Sequence, residues 1–137
     1  MPLSDAYEDA VLDHILGTTE LTFDGTIFLA LGTDATPSKT TFTEVATPGT
    51  LGYARKAITF NASGTDGIAE GPATGAGTIT FGPCTDTQWG TLKSFALYTA
   101  STGGTRITQG ALSDQTKVVG VGDSATVAEG SIVVTAS

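Results

Sequence analysis

The hexapeptide Thr26-Ile27-Phe28-Leu29-Ala30-Leu31 decides how this chain folds. A strand with one wet face alternates apolar and polar side chains, whereas a nearly unbroken apolar run of this length fits a strand covered on both faces. Outward from it the pattern settles into a period of two. Residues 53–60 resume a strand, with Ile58 and Phe60 to one side and Thr59 to the other, and 78–81 alternate again. In 92–99 the side chains of Leu92, Phe95 and Leu97 seek the interior, and Ser101-Thr102-Gly103-Gly104 reads as a hairpin turn into 105–112. Segments 117–121, 125–127 and 131–135 complete the series, punctuated by Gly122-Asp123 and Glu129-Gly130. The expected fold is mainly β: an antiparallel β-sandwich, jelly-roll-like, of about seven or eight strands.

Composition points the same way. Of 137 residues, 18 are Gly and 26 are Thr, and only 15% are charged. Threonine is stiff at its β-carbon and suits a pleated surface, while glycine supplies the positive φ of tight turns. One helix precedes the strands. Leu3, Tyr7, Ala10, Val11, Ile15 and Leu16 recur at three- and four-residue spacing, with Asp5, Glu8, Asp9 and Asp13 mostly opposite. Ser4 or Asp5 can cap its start and Gly17 its end. Three turns are unstable alone in water, so this helix must dock on its own sheet or on a neighbour. The chain is short enough for one domain over 1–137, with the helix in 1–17 and the β-sandwich in 21–137.

Two stretches break the periodicity. Residues 32–51 carry Pro37 and Pro48, and 61–77 carry Gly64, Gly67, Gly71, Gly75 and Gly77. Connections this long in a compact domain are commonly functional or contact a partner.

Several function classes drop out. A net charge of −8 repels phosphates, which argues against nucleic acid and anionic lipid as partners. No apolar run approaches the ~20 residues that span a bilayer. Met1-Pro2-Leu3-Ser4-Asp5 has neither the basic head nor the apolar stretch of a secretion signal, so synthesis in a host cytoplasm, with another route out of it, is expected. The single cysteine, Cys84 in Gly82-Pro83-Cys84-Thr85, allows no internal disulfide and reads as a buried thiol at a turn. His14 is the one histidine, which leaves no His-rich metal site and makes a catalytic triad hang on a helix residue better suited to a structural role. Gly75-Ala76-Gly77 lacks the Gly-Lys-Thr/Ser continuation of a phosphate loop. Asp66, Asp86, Asp114 and Asp123 sit in turns that their own side-chain hydrogen bonds explain, with a calcium site between turns as the alternative. The expectation is no cofactor, no metal, no catalytic residues and no enzyme. An enzyme acting on cell-surface polysaccharide stays open only because spatial pairing among fourteen acids is not visible in a sequence.

An ordered set of short motifs carries more information than any one of them. Leu12-Asp13-His14-Ile15-Leu16-Gly17, then Ile27-Phe28-Leu29-Ala30-Leu31, then Gly52-Tyr53-Ala54-Arg55-Lys56-Ala57-Ile58-Thr59-Phe60 open it. Trp89-Gly90-Thr91-Leu92, Phe95-Ala96-Leu97-Tyr98, Thr102-Gly103-Gly104, Gly110-Ala111-Leu112 and Val121-Gly122-Asp123 continue it. Over nearly its full length the chain thus resembles small virion proteins of tailed bacteriophages, often labelled tail fibre or minor tail proteins. The resemblance implies a non-enzymatic particle component, and the loops at 34–49 and 61–76 depart from it most.

Two structural roles follow. The first is a capsid decoration (cement) protein on the head exterior, a homotrimer bound to the major capsid protein. The second is a tail-fibre or minor tail protein that binds host-surface glycan, partnered by other tail proteins of the virion. For partner contacts the helix and the 33–51 loop are the natural surfaces, with Leu3, Tyr7, Val11, His14, Phe42, Val45 and Arg55 as candidates. The aromatics Tyr53, Phe60, Phe81, Trp89, Phe95 and Tyr98 are expected to fill the core, with Trp89 and Tyr98 the two that could instead stack on a sugar and so the candidates for glycan contact.

Overall fold

A computed structural model describes residues 3–18, 26–60, 73–76, 79–127 and 133–134. Among these are one helix, α1 (Asp5–Ile15), and ten short strands. The strands are β1 (Ile27–Gly32), β2 (Lys56–Phe60), β3 (Ala73–Ala76), β4 (Ile79–Phe81), β5 (Gly90–Thr91), β6 (Ser94–Tyr98), β7 (Arg106–Ala111), β8 (Val118–Val119), β9 (Ala125–Val127) and β10 (Val133–Val134). Eight of them coincide with the strands read from the sequence. The other two, β3 and β5, are made of Ala, Thr and Gly, which carry no apolar alternation. Asp66 and the side chain of Phe60 lie outside the described residues.

One antiparallel sheet of six strands runs β10-β3-β2-β1-β6-β7. β1 is buried on both faces from Leu29 to Gly32, as its apolar sequence predicts, and lies inside the sheet, paired with β6 from Phe28↔Tyr98 to Gly32↔Ser94 and with β2 from Ile27↔Ile58 to Leu29↔Lys56. Leu29 and Leu31 point into a core shared with Ile58, Phe95 and Leu97. Two strand pairs, β4-β9 and β5-β8, supply Ile79, Phe81, Val119 and Ala125 from the opposite side. The result is sandwich-like and mainly β, with a second layer split into two pairs. Tyr53 and Phe81 stack with ring centroids 6.2 Å apart, and Trp89 meets Tyr53 edge-on at 5.6 Å. Cys84 is buried and its Sγ donates to the Thr87 carbonyl at 3.1 Å, the structural thiol expected of that turn.

The other face of the large sheet carries small residues, Ala30, Gly32, Ser94 and Ala96, all buried. A Cβ at Gly32 would run into the Phe42 ring and Ser94 Oγ, so the chain can lie flat there only because the position is glycine. That ring comes from the 33–51 connection, which is a wide hairpin and not an open loop. Its returning limb bridges Gly32↔Glu44, with Thr33 N–H donating to the Thr43 carbonyl and Val45 N–H to that of Leu31, both at 3.0 Å. β2 ends before it can reach Leu31, and the Tyr53 hydroxyl takes over as acceptor for the Leu31 N–H at 3.1 Å. At Gly52, φ is +73° and a Cβ would collide with the Pro83 carbonyl, which pins this segment to the turn around Cys84.

The helix ends as its sequence predicts. Ser4 Oγ accepts the Tyr7 N–H at 3.3 Å. At the other end Gly17 (φ +74°) donates to the His14 carbonyl and Thr18 to that of Asp13, the paired bonds of a Schellman motif. The docking question has a two-part answer. The start of the helix is fixed to the edge strand β7: Ser4 N–H donates to the Ile107 carbonyl at 2.7 Å, Ser4 Oγ to that of Arg106, and Leu3 bridges Thr108. The end of the helix is uncovered, with Leu12, Ile15 and Leu16 exposed by 53%, 71% and 65%.

Candidate binding cleft

Three segments far apart in sequence meet at Lys39. The tip of the 33–51 hairpin is shaped by Ser38, whose N–H donates to the Thr41 carbonyl while Thr41 N–H returns the bond. That turn presents the Lys39 carbonyl to Arg106 Nη2 at 2.9 Å and to the Asp5 N–H at 3.4 Å. The Lys39 ammonium pairs with Glu8 at 2.7 Å, an exposed pair whose first effect is to raise the lysine's pKa through that hydrogen bond. Between helix start, hairpin tip and the β6–β7 turn lies a shallow cleft of about 470 Å³. Phe42 and Tyr98 line it, 6.3 Å apart and tilted by 55°, with Arg106 lying 5.8 Å over the Phe42 ring. Asp5, Thr40 and Lys39 add a carboxylate, a hydroxyl and a cation to its rim.

A buried polar network holds the cleft from beneath. Arg55 is 8% exposed and forks onto Glu44, Nη2 to Oε1 at 2.7 Å and Nε to Oε2 at 3.1 Å. Its Nη1 donates to the carbonyls of Ala100 and Gly103 in the β6–β7 turn at 3.0 and 2.8 Å. The guanidinium sits 3.6 Å over the Tyr98 ring, covering one face of it. Glu44 also accepts the Tyr53 hydroxyl at 2.7 Å. Burial, and then this hydrogen bond to a carboxylate, push the Tyr53 phenol far above its ordinary range; burial does the same in kind for Tyr98. Nearly every polar group here has a partner, so the network fixes where Tyr98 and the hairpin stand.

The sequence candidates are redistributed accordingly. Tyr98 and Phe42 reach the cleft. Trp89 does not: it is 3% exposed, its indole N–H is spent on the Leu51 carbonyl at 2.9 Å, and its ring fills the core, so of its two expected roles the packing one holds and the glycan contact is set aside. Arg55 is likewise corrected from a partner contact to an internal clamp, and Val45 packs against the core. Leu3, just ahead of the helix, and Tyr7 and Val11 on it are half-buried, while His14 is exposed. Arg106 and Asp5 were missed, because nothing in their local sequence links them to Phe42. Asp114 accepts from Thr116 Oγ1 at 2.6 Å and its N–H at 3.0 Å, which holds its carboxyl below the usual range, and Asp123 accepts the Gly120 N–H. Among the described residues no group of His, Cys, Asp and Glu is arranged to hold a metal ion, and no helix is long and apolar enough to cross a membrane.

Comparison with known proteins adds what geometry alone does not. No curated protein matches the chain. A family model described as podophage GP4 fiber I protein gp80 matches residues 2–135, nearly all of it. With its strand-rich, helix-fronted fold, the chain belongs to this phage fibre protein family and is a structural component of a virion.

Proposed function

We propose that the chain is a non-enzymatic tail-fibre component, carried on the outside of the particle beside other tail proteins, that engages a host-surface glycan at the Phe42–Tyr98 cleft. The observation that carries the reading is this pair of tilted aromatic rings, rimmed by Asp5, Thr40 and Lys39, in a member of a fibre family. Aromatic faces suit the C–H surfaces of a sugar, and a few fixed polar groups orient its hydroxyls. The family's description favours the fibre over decoration of the head. Asp5 is the carboxylate that lines the cleft, and Glu8 beside it is tied to Lys39, which supports binding without cleavage, since glycoside hydrolysis takes a pair flanking the bond.

Calorimetric titration of the purified protein with host-surface polysaccharide tests this. Saturable binding is expected, with at least about tenfold loss in Phe42→Ala and Asp5→Asn variants and no new reducing ends on prolonged incubation. Absence of binding, or equal binding by both variants, would reject the glycan reading; released sugar would reject the non-enzymatic one.

A further inference from the structure

The charged groups of the Phe42–Tyr98 cleft are arranged so that they sort ligands by charge. An anion finds little to hold it. Lys39 is already tied to Glu8 at 2.7 Å. Arg106 turns Nη2 to the Lys39 carbonyl and buries Nε, so it does not offer the paired N–H groups of a free fork. The positive end of α1 is occupied as well, since Ser4 Oγ accepts the Tyr7 N–H and the Asp5 N–H points to the Lys39 carbonyl. What stays open is an acceptor: the exposed Asp5 carboxylate takes no hydrogen bond from any described residue. An anionic group entering here would meet that carboxylate, on a chain of net charge −8, and would bring it no donor.

A cation is disfavoured by the rings. Bare aromatic faces attract ammonium groups, but here each ring already has a guanidinium, Arg55 at 3.6 Å over Tyr98 and Arg106 at 5.8 Å over Phe42. A second cation would be repelled by both. The attraction that remains, to Asp5, is shared with Lys39, whose charged form Asp5 already supports. On the glycan reading, which this deepens, we infer that the cleft takes an uncharged saccharide: two neighbouring hydroxyls donate to the two oxygens of Asp5 while the C–H face of the ring lies on Phe42 and Tyr98. A neutral sugar supplies the donors that Asp5 lacks, in hydrogen bonds strengthened by its charge, and adds no charge of its own. Asp5 is thus the residue that sets specificity. Acidic sugars are rejected by it, and basic sugars by Arg55 and Arg106.

Calorimetric titration of the purified full chain with host-surface polysaccharide, separated by ion exchange into neutral, acidic and basic fractions, tests it. The neutral fraction is expected to bind at least about tenfold more tightly than either charged one. Its affinity should change by less than about twofold between roughly 0.05 and 0.5 M sodium chloride, because no net charge is neutralised on binding. Asp5→Asn, at an exposed position where the fold does not depend on the carboxylate, should weaken binding of the neutral fraction and strengthen that of the acidic one. A general loosening of the cleft would not shift the two in opposite directions. Equal or tighter binding of the acidic or the basic fraction, or a loss in Asp5→Asn common to all fractions, would overturn the inference and leave the glycan reading standing. Binding of none of the three would withdraw both.

Discussion

Replacing Arg55 by methionine removes a buried cation while keeping much of its volume, and the structure sets the size of the effect. The substitution deletes both bonds to Glu44, both bonds to the Ala100 and Gly103 carbonyls, and the contact over Tyr98. Glu44 is then a largely buried carboxylate held by the Tyr53 hydroxyl alone among these partners. Breaking a buried ion pair from one side costs about 3–5 kcal/mol, because the remaining charge is left without compensation. At about 3–5 °C per kcal/mol for a chain of this length, the melting temperature should fall by roughly 10–20 °C. Arg55→Lys keeps the charge but loses the planar fork and should recover only part of this. Thermal and urea denaturation followed by far-ultraviolet circular dichroism measure it. A companion Glu44→Gln substitution should cost less in the Arg55→Met background than in the wild type, with a coupling of about 1–3 kcal/mol. An Arg55→Met melting temperature within about 3 °C of wild type, or strictly additive costs, would refute the clamp.

Two further outcomes follow from the same core. The phenols of Tyr53 and Tyr98 are raised above the ordinary value of about 10 by burial first, so their protonated forms stabilise the fold fully below that pH, and the contribution is lost as pH climbs past it. Tyrosinate absorbance during an alkaline titration should therefore rise in step with unfolding for these two residues, and Tyr98→Phe should remove one such step; full tyrosinate absorbance with an intact circular dichroism spectrum would contradict it. The single tryptophan, Trp89, should emit at short wavelength and resist acrylamide quenching, and Trp89→Phe should cost about 1–3 kcal/mol by removing one of the two hydrogen bonds to the Leu51 carbonyl, which keeps the Thr85 N–H, and by leaving a gap beside Tyr53. Emission typical of exposed indole would return Trp89 to the surface.

What the sequence discloses is what depends on neighbours in the chain. The apolar run 27–31 announced a strand covered on both faces, Ser101 to Gly104 announced a hairpin, and Gly17 announced the helix end, each because the conformation is written into adjacent residues. β3 escaped because Ala73–Ala76 is held by main-chain pairing, which any side chain permits. Trp89 stayed ambiguous between core and surface because its loop shows no periodicity that would mark it as inward. Arg55 misled for a different reason: its partner Glu44 is eleven residues away and meets it only after 33–51 folds back onto β1. The cleft is harder still, since Asp5, Phe42, Tyr98 and Arg106 come from four segments whose proximity depends on the whole sheet order.

Electron microscopy of intact particles labelled with gold-conjugated antibody against this chain tests the central claim most directly. A fibre component exposed on the particle predicts label on the tail, lost when the gene is deleted. Label distributed over the head, or label that appears only after particles are broken open, would contradict it.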